Sequence, residues 1–83
     1  MEQAMVYVLI VTRYGAKRGV ATEMLEYDEI DNVHELYGQF DIIVRIRGKD
    51  MNSIETFISE NIRTNKDIQQ TQTLVVSDVP TGG

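Results

Sequence analysis

The chain has no cysteine and no tryptophan, and only one histidine and one proline. Without cysteine there is no disulfide framework, no thiolate metal site and no thiol nucleophile, so a reducing interior, the cytoplasm, is the expected location. One histidine among scattered carboxylates gives no ligand spacing for a metal, and no cofactor is expected. Long apolar runs are missing too. Met5 to Val11 is far too short to span a bilayer, and Met1-Glu2-Gln3-Ala4 lacks the basic segment of a signal peptide, so nothing addresses a membrane. Positive charge is scarce: 8 Lys and Arg face 13 Asp and Glu, for a net charge of -5. That balance argues against direct nucleic-acid binding, which rests on cations neutralising phosphates.

What is present is an acidic chain of 83 residues, enough for a single domain over 1–83. At this size folding hides only roughly 60 to 65% of the surface that the unfolded chain exposes, so added burial by association is expected. Met5 to Thr12 (MVYVLIVT) is rich in β-branched and aromatic residues and ends at the turn-like Arg13-Tyr14-Gly15, which predicts a first strand. Lys17 to Tyr27 gathers Val20, Ala21, Met24 and Leu25 on one side of a helix. After the polar linker Asp28 to Asn32, Val33 to Tyr37 and Asp41 to Arg47 read as the arms of a hairpin whose tip is centred on Gly38. Asp50 stands as the N-cap of a second helix with the stripe Met51, Ile54, Phe57, Ile58 and Ile62. Ile68 to Val76 reads as a last strand, the core spans about 5–76, and Ser77 to Gly83 has the composition of a frayed tail.

The order β-α-β-β-α-β predicts an α+β fold, the ferredoxin-like sandwich, in which two helices cover one face of a four-stranded antiparallel sheet. The first strand is apolar on both faces, with Val6, Val8 and Ile10 on one and Met5, Tyr7, Leu9 and Val11 on the other. The third strand repeats this in part, with Ile42, Val44 and Ile46 opposite Ile43, and the last strand does so with Val75 opposite Leu74 and Val76. Two helices cover only one face, so a homodimer packed sheet face to sheet face or edge to edge is expected. The basic residues Arg13, Lys17 and Arg18, and Arg45, Arg47 and Lys49, are too few and too separated for a phosphate track. They read as solvated or as interface ion pairs.

The element order, the segments VYVLIVT, VATEMLEYDEIDNV, VHELYGQFDIIVRI and TQTLVV, and the turn Gly38-Gln39-Phe40-Asp41 resemble the effector-binding (RAM) domain of the leucine-responsive/AsnC, or feast/famine, transcription regulators. The resemblance covers about residues 5 to 76. Full regulators of that family carry a helix-turn-helix ahead of this domain, and four residues precede the first strand here, so the chain looks like a stand-alone version. The resemblance implies dimers assembling into an octamer or similar ring, a free amino acid as effector, and co-assembly with full-length regulators. It places Tyr37, Gly38, Gln39, Phe40 and Asp41 around the amino acid's common part. Backbone amides at a glycine turn can receive a carboxylate, and an aspartate can receive an ammonium. Thr71 and Thr73 share a face of the last strand and could add hydroxyls from a neighbouring subunit.

His34 carries the competing expectation, a small dimeric α+β barrel enzyme such as a cofactor-free oxygenase or isomerase. General acid/base work needs a group that tunes the imidazole, and the adjacent Glu35 would point to the opposite face of the strand. No catalytic constellation is therefore expected.

Overall fold

Strand β1 (Ala4–Thr12) runs through the middle of the sheet because it satisfies both neighbours, β3 (Ile42–Gly48) on one side and β4 (Ile68–Val75) on the other. In the computed structural model, which describes residues 3–76, β2 (Ile30–Glu35) completes the order β2-β3-β1-β4, with every pairing antiparallel. Helices α1 (Lys17–Met24) and α2 (Met51–Phe57) cover one face. This is the ferredoxin-like α+β sandwich that the alternation of elements predicted. The tail expected over Ser77 to Gly83 lies outside the described residues.

The core follows the period of each element. Val6, Val8 and Ile10 of β1 and Ile42, Val44 and Ile46 of β3 are fully buried against Val20 and Met24 of α1 and Ile54 of α2. Asp50 caps α2 through Oδ1, which accepts the Ser53 amide at 2.8 Å, and that bond holds the carboxyl below its usual range. Beyond Phe57 the helix widens into a π turn, Ile58–Ile62, where the Arg63 amide reaches back five residues to the Ile58 carbonyl at 2.9 Å. In a regular α-helix residues four apart drift by about 40° around the axis. A drift of that size leaves Ile58 and Ile62 on the same side of the helix, and both are fully buried.

Element boundaries depart from the sequence expectation in three places, each with a visible cause. α1 stops at Met24 instead of Tyr27, because the amides of Leu25, Glu26 and Tyr27 bond only three residues back and tighten the chain. Tyr27 then turns inward and meets Phe57 edge-on, with ring centroids 5.1 Å apart. β2 starts inside the expected linker, since Ile30 is drawn into the core opposite Ile46. Leu36 and Tyr37, expected at the end of that strand, lie beyond it in the turn.

Two β-bulges redirect side chains. Ile30 faces Ile46 while Asn32 faces Arg45, so Asp31 is the extra residue on β2. Its carboxylate meets Arg45 Nε at 2.7 Å and Arg47 Nε at 3.0 Å, and the Arg45 guanidinium holds it below the usual carboxylate range. On the other edge, Val11 faces Gln70 and Thr12 faces Ile68, which leaves Gln69 as the extra residue on β4. Lys17, Arg18, Arg45 and Arg47 thus pair within the chain.

The sheet face away from the helices is a stripe. Met5, Tyr7, Leu9 and Val11 of β1, with Ile43 and Leu74 beside them, are half-buried or exposed, and Asn32, His34, Gln70 and Gln72 border them on the edge strands. At the far end of β3, Gly48 is required by close approach, because a Cβ there would stand 2.8 Å from Cγ1 of the buried Ile54. Gly48→Ala should therefore destabilise the fold by about 1–3 kcal/mol, as overpacking does. A urea midpoint equal to that of the parent chain would show that α2 moves aside at no cost.

Candidate functional site

The alternation of directions in this fold brings three connections to one end of the sheet: the β1–α1 loop, the β2–β3 turn and the start of β4. The turn itself is shaped by Gly38, whose φ of +135° is a conformation that side chains with a Cβ rarely adopt. The Leu36 amide bonds the Asp41 carbonyl at 2.7 Å, which closes the arms and leaves Tyr37, Gly38, Gln39 and Phe40 as the loop. Their four amides have no acceptor among the described residues. Tyr37 is almost wholly exposed and Phe40 is half-buried.

Asp41 is built into the sheet from both its backbone and its side chain. Its amide donates to the Ile10 carbonyl at 2.8 Å, and its Oδ2 accepts the Thr12 amide at 2.8 Å and the Thr12 hydroxyl at 3.2 Å. The other oxygen, Oδ1, lies 3.8 Å from Lys17 Nζ. Lys17 opens α1 and reaches across to the turn, where Nζ donates to the Leu36 carbonyl at 2.8 Å and sits 4.6 Å from the centre of the Tyr37 ring. One ammonium thus ties the helix start, the hairpin and the Asp41 carboxylate together.

Beside this pair lies an open depression of about 500 Å³ lined by Thr12, Arg13, Tyr14, Gly15, Lys17, Asp41 and Gln69. Of the residues singled out from sequence, the turn residues Tyr37, Gly38, Gln39, Phe40 and Asp41 gather at this end, but of these five only Asp41 lines the depression. Thr71 and Thr73 stand opposite Ile10 and Val8, on the helix-facing side of β4, and neither lines the depression. Thr12, Lys17 and Gln69 were not singled out. The order of elements held the signal, because in a βαββαβ chain the first loop and the hairpin tip must emerge at the same end of the sheet. His34 pairs with Ile43 on the open face, whereas Glu35 turns to the other side and binds Arg18.

A four-stranded antiparallel sheet with helices on one face defines a ferredoxin-like α+β domain, here with a small charged depression at its strand ends. Its family follows from comparison: the model of the Lrp/AsnC ligand binding domain matches residues 5–81, and the chain belongs to that family. The chain is 29% identical over 73 residues to the HTH-type transcriptional regulator FL11 of Pyrococcus furiosus, a match covering 88% of this chain and 48% of that protein. It spans about half the length of the curated relatives it matches. The crystal structure of FFRP-DM1 superposes with a TM-score of 0.87 at 30% identity, covering 89% of this chain and 99% of that one. The Neisseria meningitidis transcriptional regulator NMB0573, in complex with L-Met, shares the fold, with a TM-score of 0.81 at 18% identity over 93% of this chain and 52% of that one.

Proposed function

We propose that the domain is a non-enzymatic amino-acid sensor whose assembly, or choice of partner, shifts when an amino acid binds at the hairpin end. The observation that carries this reading is the Lys17–Asp41 pair next to a turn whose amides have no acceptor among the described residues. A free amino acid presents a carboxylate and an ammonium on one carbon. The turn amides and Lys17 suit the first, and Asp41 Oδ1, which Thr12 does not use, suits the second. The L-Met complex of the Neisseria regulator, which has the same fold, supports an amino acid as the ligand class.

Association would use the apolar stripe of the open sheet face, forming a homodimer and then an octamer or similar ring, with co-assembly into full-length regulators of the family as a further partner. The exposed Tyr14 lines the depression and the exposed ring of Tyr37 stands by Lys17, where a neighbouring subunit, with Thr71 and Thr73 as its donors, would close the site. A ligand moves such an equilibrium only through its different affinity for the two assemblies, typically about 1–3 kcal/mol of coupling.

Calorimetric titration with the twenty amino acids, alongside light scattering, tests the reading. At least one should bind. Asp41→Asn, which keeps an oxygen for Thr12 but removes the charge, should weaken that binding at least about tenfold, the loss of one charge-assisted bond. Silence toward all twenty with no change in mass would remove the sensor reading.

A further inference from the structure

Eight basic side chains serve this chain, and among the described residues five of them, Lys17, Arg18, Arg45, Arg47 and Arg63, stand in ion pairs. Arg13 does not. It sits on the rim of the depression beside Lys17, and the contact it makes with Asp67 is through the backbone, its amide donating to the Asp67 carbonyl at 2.9 Å. Arg13 is exposed, and a guanidinium on the rim of a depression with no carboxylate partner among the described residues is available to an anion from outside the chain.

The bulge on β4 adds a second group. A residue inserted between Gln70 and Ile68 has no partner on β1, and Gln69 at that position lines the same depression. Bulges of this kind aim a side chain away from the regular ladder. Its amide can donate to one oxygen of a carboxylate while Arg13 takes the other. Lys17 and Asp41 are opposite charges that cancel against an amino acid's own carboxylate and ammonium, so the charge left over on the site is that of Arg13.

We propose that the effector is an amino acid with an acidic side chain, aspartate or glutamate, whose side-chain carboxylate is read by Arg13 and Gln69. This rests on the reading of the Lys17–Asp41 pair as the receptor for the common part of an amino acid. The unprotonated side-chain carboxylate separates this class from its amides, which have the same shape and no charge.

The test is calorimetric titration of the whole chain with L-glutamate, L-aspartate, L-glutamine, L-asparagine, L-leucine and L-lysine, repeated with Arg13→Gln. Either acid should bind at least tenfold more tightly than its amide, and Arg13→Gln, on an exposed loop residue, should erase that preference with the secondary structure unchanged. An amide, leucine or lysine binding as tightly as the acids, or an acid preference that survives Arg13→Gln, would overturn the proposal. In that case Asp41-dependent binding of any amino acid would leave the sensor reading standing. Failure of all six to bind would overturn the acidic effector, and the remaining amino acids would then decide the sensor reading.

Discussion

Leu9→Glu is expected to leave the protein monomeric at concentrations where the parent chain associates. Leu9 sits at the middle of β1 on the open face, between Ile43 and Gln72 in register and between Tyr7 and Val11 along the strand. A two-fold sheet-to-sheet contact is self-complementary, so each interface would take the substitution twice. Burying unpaired carboxylates costs at least about 3 kcal/mol, a dissociation constant raised a hundredfold or more. The side chain points away from the helices, so the core on the other side of β1 is untouched and circular dichroism should be unchanged. Leu9→Lys separates the two possible causes. It adds a charge of the opposite sign to an acidic chain, and an equal loss of association would identify desolvation, not net repulsion. Sedimentation showing the parental mass for both variants would move the contact off this face, to the edges at β2 and β4.

Much of the fold is written in local patterns. The stripe from Ile54 to Ile62, the cap at Asp50 and the β-branched run of β1 each state their element without reference to the rest of the chain. Even the doubly apolar face of β1 is plain from Tyr7, Leu9 and Val11 alternating with Val6, Val8 and Ile10. The boundaries are less plain because tertiary forces set them. Ile30 is one apolar residue in a polar segment, and only the core opposite Ile46 makes it a strand. The π turn at Ile58–Ile62 leaves no mark in the stripe, whose spacings of three and four suit a regular α-helix equally. At the site, the Gly38 turn was legible because positive φ leaves a mark on composition. Lys17 was not, since a lysine at the start of a helix looks like any solvated charge until the hairpin folds over it. Gln69 depends on a register shift, which no periodicity in the sequence records.

Ile42→Ala should cost about 2–5 kcal/mol of stability, the range for emptying a fully buried aliphatic site. A chain of this length has in total only roughly 4–12 kcal/mol to lose, so the variant should unfold at a markedly lower urea concentration. Ile46→Ala, at the other end of the same strand, is equally buried and should cost as much. The two differ in what stands next to them. Ile42 follows Asp41, whose amide bonds the Ile10 carbonyl and whose carbonyl receives the Leu36 amide. Loss of the side chain that packs against Ile10 lets that junction relax and displaces the carboxylate from Thr12 and Lys17. Amino-acid affinity, measured at fixed protein concentration so that association contributes equally, should therefore fall for Ile42→Ala and hold for Ile46→Ala. Equal affinity in both variants would mean that the Gly38 turn and the Lys17 bond to Leu36 are enough to fix Asp41 without the core beneath it.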